Sequence, residues 1–136
     1  MTRLELPPGG YLVGLGTDIV DIARIRGVAE RQGDRFLGRV YTGEELAYCL
    51  ERKHPHKHLA ARFAAKEAVS KAFTTGIGRR LGWRSVSVYN GERGEPYVRL
   101  SPDGEALLRE VGASRVWISL SHTDTLALAV AALLRD

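Results

Sequence analysis

The stretch HLAARFAAKEAVSKAF, residues 58–73, sets Glu67 and the cations Arg62, Lys66 and Lys71 among small apolar residues at helical spacing. At about 100° per residue, Phe63, Glu67 and Lys71 follow one another in steps of four, and Arg62, Lys66 and Ser70 form a second row beside them. Ala61, Ala65, Ala68 and Ala72 collect on another side, where a neighbouring element can approach the helix axis closely. Taken alone, this is a core helix whose solvated side carries a Glu67–Lys71 ion pair contributing ~0.3 to 0.5 kcal/mol. Other residues suggest a different chemistry: Asp18 at or just after the end of a first strand, the basic RKHPHKH before the helix, the glycine turn TTGIG after it, and His122 between the last strands. Magnesium keeps several waters and binds through one or two carboxylates plus phosphate oxygens. Asp18 and Glu67 supply that pair if the first strand lies beside this helix, and the combination then describes a phosphate site.

The elements that must position these groups are readable from period and punctuation. After the turn-forming PPGG, YLVGLGTDIVDI reads as a buried strand that leaves through Gly14 and Gly16. Asp21 caps a first helix in which Ile22, Ile25, Val28 and Ala29 recur at helical spacing and leave Arg24, Arg26 and Arg31 on more exposed sides. Thr42 and Glu45 form the capping box of a second helix through EELAYCLE. The third helix is the one above, ending near Gly76. WRSVSVYN and YVRL form two strands around GERGEP, and Ser101 with Pro102 starts a short helix that stops at Gly112. RVWISLSH and LALAVAALL read as two closing strands joined by TDT, although the last segment is also helical by composition. The predicted order is strand, three helices, two strands, helix, two strands: an α+β fold with mainly antiparallel pairing and no internal repeat.

A chain of 136 residues, 44% hydrophobic and 26% charged, fits one folded domain. No apolar run approaches the ~20 residues of a membrane span, and MTRLELPPGG has no signal-peptide core, so a cytoplasmic protein is expected. Cys49 stands alone, which leaves no disulfide framework and no cysteine-based zinc site, and it reads as an inert thiol. The net charge of +4 and pI near 9.5 favour an acidic partner or ligand.

GLGTDI, followed by RFAAKEAVSKAF and the GTGIG-like TTGIG, with SHT near the end, resembles the holo-acyl-carrier-protein synthase family, the small bacterial 4′-phosphopantetheinyl transferases. The similarity runs from about Val13 to the C-terminal strands. It implies a 4′-phosphopantetheinyl transferase-like α+β fold, with residues 1–10 an N-terminal extension and 11–136 a single domain. It also implies that Asp18 and Glu67 bind magnesium together with the diphosphate of coenzyme A, and that Lys71 serves the phosphates and catalysis. Manganese also accepts such oxygen ligands. The implied reaction has a serine hydroxyl of apo acyl carrier protein attack the β-phosphorus of coenzyme A, with release of adenosine 3′,5′-bisphosphate. Glu67 is the expected acceptor of the serine proton, so Asp18, Glu67 and Lys71 form the catalytic set. Related small enzymes are trimers with coenzyme A in clefts between subunits, so a homotrimer is implied.

The remaining site residues follow from charge and from the match. Arg62 is the foremost candidate for the 3′-phosphate of coenzyme A, with Lys53 and His54 beside it, although a solvated basic loop accounts for those two as readily. Thr75 and Gly76 are expected to meet the nucleotide through backbone groups, against the ordinary alternative of a helix stop. His122 is expected at the diphosphate by the SHT match; without it, the residue reads as a turn cap. His58 stands where the family has an aromatic residue. Arg24, Arg31 and Arg35, ascribed to the basic first helix, are expected to meet an acidic helix of the carrier protein, while Arg26 reads as solvated. Two other readings compete. A nucleic-acid-binding module would use the positive charge with Tyr89 and Tyr97 but leaves Asp18 and Glu67 without a role, and a magnesium-dependent phosphohydrolase would use the same acids with water as nucleophile.

Overall fold

The computed structural model describes residues 11–136, so the expected extension, residues 1–10, lies outside the described residues. Strand β1 (Leu12–Asp21) leads into helices α1 (Ile22–Gln32), α2 (Asp34–Val40), α3 (Gly43–Leu50) and α4 (Pro55–Ala72). A 3-10 turn at Trp83–Ser85 then precedes the hairpin of β2 (Val86–Asn90) and β3 (Pro96–Leu100), and α5 (Pro102–Glu110), β4 (Arg115–His122) and β5 (Leu126–Leu134) complete the chain. The strands form two antiparallel sheets, β1-β5-β4 and β2-β3, with α4 packed across the larger one. The α+β reading therefore holds.

Small residues set the distance between α4 and the sheet. A Cβ on Gly14 would fall onto the carbonyl oxygen of Ala72, and one on Gly16 onto that of Ala68, so only glycine lets β1 lie this close to the helix. Beside them Ala127, Ala129 and Ala131 of β5 are fully buried, as are Ala64, Ala65 and Ala68 of α4. The alanine side of the third helix is thus a packing surface. In the register of the sheet Asp18 stands opposite Ala129, which fixes the acid at the edge of this contact.

Several expectations need correction. β1 is half-buried and runs past Asp18 to Asp21, and its Leu15, Thr17 and Ile19 are exposed on the face away from α4. Helix α2 was not expected: its seven residues are too few to show a helical period, and it follows Gly33 at a φ of +54°. α4 begins at Pro55, so His56, Lys57 and His58 belong to the helix, with proline in its first turn. Residues 83–85 of the expected strand are the 3-10 turn. The C-terminal segment is a strand, because β1 and β4 both supply it with hydrogen-bond partners.

The charged rows of α4 do not face water as expected for a solvated side. Lys66 is fully buried and sits 2.7 Å from the equally buried Glu45. Its ammonium also donates to the backbone oxygens of Trp83, at 2.9 Å, and Val86. Glu45 accepts from the backbone N–H groups of Thr42 (2.9 Å) and Val88 (3.0 Å), so the capping-box acid ties α3 to α4 and to the hairpin. Burial pushes the Lys66 pKa down while Glu45 opposes that shift. Cys49 is buried, and desolvation pushes its thiol up to about 11, which makes it unreactive. Among the described residues no helix is long and apolar enough to cross a membrane.

Candidate active site

β1 and α4 bring Asp18, Glu67 and Lys71 to one place. Lys71 Nζ lies 2.9 Å from Asp18 Oδ1 and donates to the Thr17 carbonyl oxygen at 3.1 Å. The cation therefore reaches across to the strand, and the expected i,i+4 pair with Glu67 is replaced by this one. Glu67, one turn earlier, has a raised pKa: partial burial is the larger cause, the neighbouring Asp18 adds to it, and Lys71 opposes both. Asp18 and Glu67 line the same pocket, of about 690 Å³, whose wall includes Ile25, Phe36 and Phe63 and whose rim carries Arg24. Asp21 is also there, but its carboxylate accepts from the Ala23 N–H and serves as the cap of α1.

Asp18 and Glu67 with the single ammonium of Lys71 leave this cluster with excess negative charge, and Glu67 is raised partly by Asp18. This donor set fits a divalent cation. Among the described residues no group of three His, Cys, Asp or Glu side chains could hold a metal unaided. Magnesium needs only one or two carboxylates when substrate oxygens and water supply the rest, so the residues present suit it.

The expected coenzyme A residues fall in other places. Arg62 is 2% exposed. One of its amino groups donates to Asn90 Oδ1 at 2.6 Å, its guanidinium covers the Tyr48 ring at 4.5 Å, and its Nε is buried without a partner. It points roughly 140° around α4 from Glu67. His58 meets the same Tyr48 ring edge-on at 5.7 Å. Its pKa is lowered first by burial and then by Arg62, Arg52, His122 and His54, so these basic residues share one neighbourhood. Lys53 and His54 are exposed and line a small depression with Arg26, Glu30 and Lys57. Within one chain, then, the acids and the Lys53–His54 pair line separate depressions.

Thr75 Oγ1 donates to the Gly76 carbonyl oxygen at 2.9 Å, and Gly76, at a φ of +66°, donates its N–H to Ser70 O at 3.2 Å. Both residues shape the helix stop. Arg24 and Arg31 are exposed on α1, whereas Arg35 is exposed on α2 instead of the first helix. Tyr89 and Tyr97 stack on each other at 5.4 Å, and Arg99 covers Tyr89 at 4.6 Å, so these aromatics are engaged within the hairpin. The sequence reading assigned nothing to Phe36 and Phe63, the aromatic wall of the pocket. Phe63 already stood in the Glu67 row, four residues before it, while Phe36 lies in the unexpected helix.

Comparison with known proteins shows what the whole chain is similar to. Residues 14–131 match the model of the 4′-phosphopantetheinyl transferase superfamily. The chain is 47% identical over 120 residues to holo-[acyl-carrier-protein] synthase of Protochlamydia amoebophila, covering 88% of this chain and 95% of that one. Its fold is similar to the crystal structure of holo-[acyl-carrier-protein] synthase from Neisseria meningitidis, with a TM-score of 0.85, 36% identity and coverage of 91% and 99% of the two chains. It is also similar to the Helicobacter pylori synthase in complex with coenzyme A, with a TM-score of 0.78, 30% identity and coverage of 88% and 98%.

Proposed function

Because the chain belongs to the 4′-phosphopantetheinyl transferase superfamily, we infer that it transfers the 4′-phosphopantetheine group of coenzyme A to a serine of apo acyl carrier protein and releases adenosine 3′,5′-bisphosphate. The observation that carries this reading is the meeting of Asp18 and Glu67 at one pocket, from a strand and a helix distant in sequence, with Lys71 held on Asp18.

In this reading residues 11–136 act as one domain, and the serine oxygen bonds to the β-phosphorus as the bond from that phosphorus to the bridging oxygen of the bisphosphate breaks. Glu67 accepts the serine proton, a role that suits a carboxylate whose pKa is raised by partial burial and by Asp18. Lys71 leaves Asp18 for the departing phosphate, where its charge stabilises the leaving group. Asp18 and Glu67 would hold magnesium, or manganese, which when bound draws charge from the diphosphate. Arg62, Lys53 and His54 are assigned to the 3′-phosphate of the nucleotide and His122 to the diphosphate, and Gly76 with Thr75 to backbone contacts with the nucleotide. Arg24, Arg31 and Arg35 offer exposed positive charge for an acidic carrier protein, which is expected to meet the cytoplasmic enzyme there.

The unit proposed is a homotrimer. Leu15, Ile19, Trp117 and Leu128 are exposed on the sheet face opposite α4, an apolar patch of the kind that subunit contact covers. A cleft between subunits would also let cations of one chain complete the acid pocket of another.

The deciding experiment incubates the protein with coenzyme A, magnesium and apo carrier protein and weighs the carrier. A gain of one phosphopantetheine supports transfer, while bisphosphate release with an unmodified carrier indicates a hydrolase and overturns this function.

A further inference from the structure

Thr74 has a backbone φ of +64°, and among the described residues it is the only non-glycine with a positive value. A β-branched side chain is strained in that region, and such strain concentrates at ligand-binding corners. Its location is set by the helix end: the Thr74 N–H donates to the carbonyl oxygen of Lys71 at 2.9 Å. The two threonines of the corner differ in what their hydroxyls do. Thr75 Oγ1 is engaged with the Gly76 carbonyl oxygen, whereas the exposed Thr74 has no side-chain hydrogen bond among the described residues.

We propose that Thr74 is a ligand-binding residue whose hydroxyl donates a hydrogen bond to a phosphate oxygen of coenzyme A beside Lys71. The strained threonine is thereby explained by a contact that forms only with substrate, while the Thr75 hydroxyl stays engaged in the turn. The proposal rests on the transferase reading and deepens it at the diphosphate.

Three variants test it, read by calorimetric binding of coenzyme A in the presence of magnesium, by the KM values of both substrates and by melting temperature. Thr74→Val keeps the branched shape and removes the hydroxyl, so coenzyme A should bind about tenfold more weakly, the loss of one hydrogen bond to a charged group. The KM for carrier protein should move less than twofold. Thr74→Ser should bind within twofold of wild type. Thr74→Gly should melt higher than wild type, because the strain is relieved, and still lose the same tenfold. Equal affinity of wild type and Thr74→Val for coenzyme A overturns this proposal alone. A wild-type protein that binds no coenzyme A overturns the transferase reading with it.

Discussion

Lys71 Nζ sits 2.9 Å from Asp18 Oδ1, joining the last full turn of α4 to the strand beneath it. Half the Lys71 side chain is exposed, so the pair adds only ~0.2 to 1 kcal/mol to stability, and its meaning is electrostatic. In the free protein the ammonium neutralises one of two neighbouring acids. Any cation that settles on Asp18 and Glu67 competes with it. Replacing Lys71 by Met should therefore leave the melting temperature nearly unchanged and tighten magnesium binding without coenzyme A, while slowing transfer by about 10²–10³-fold. Titration calorimetry and single-turnover transfer measure the two effects. Wild-type transfer by the Met variant would remove Lys71 from the reaction.

Glu67 gives a prediction in pH. Its pKa is raised in the folded protein by burial first and by Asp18 second, so the folded state holds the proton more firmly than the unfolded chain. The associated stability is complete below the ordinary glutamate range and is lost as pH rises through the raised value. With a chelator present, Glu67→Gln should melt at a higher temperature than wild type near neutral pH, and the gap should close as pH falls below the ordinary glutamate range, where both side chains are neutral. Added magnesium should reverse the gap by stabilising wild type alone. Parallel melting curves at every pH would contradict the assigned cause.

The alanine side of the long helix was legible as a close-packing surface because its signal, small residues at helical spacing, is steric and local. Its partner was not: Gly14 and Gly16 read as the exit of the strand, and they instead let β1 lie against Ala72 and Ala68. The charged rows misled for the opposite reason. Amphipathic reading treats water as the default partner of a lysine, but Lys66 finds Glu45 and two backbone carbonyl oxygens from segments far along the chain. No local pattern announces such partners. Arg62 is similar, since its burial depends on Tyr48 and Asn90. Helix α2 escaped because seven residues interrupted by Gly38 show no period, and with it went Phe36 of the pocket wall. The last strand was ambiguous by composition and was decided by its two neighbours.

The Lys66–Glu45 pair should dominate the response of the core to mutation. Lys66→Met leaves Glu45 buried without its cation and should cost about 3 to 5 kcal/mol in urea unfolding. Adding Glu45→Gln to that variant removes the stranded charge and keeps an acceptor for the Thr42 and Val88 N–H groups, so part of the loss should return. Additive losses in the double variant would show that the two residues act separately.

Arg24 and Arg31 allow the docking proposal to be separated from the chemistry. Both are exposed on α1, Arg24 at the rim of the acid pocket and Arg31 in the last turn of the helix, so a carrier helix meeting them would lie beside Glu67. Reversal of both to Glu exchanges attraction for repulsion toward an acidic partner, an effect felt chiefly in encounter and screened by salt. The double variant should raise the KM for carrier protein at least tenfold at low ionic strength and the KM for coenzyme A less than twofold. The difference should shrink as salt is added. Because the residues are exposed, the melting temperature should stay within a few degrees of wild type. Equal increases in both KM values would place these arginines at the nucleotide instead of at the carrier.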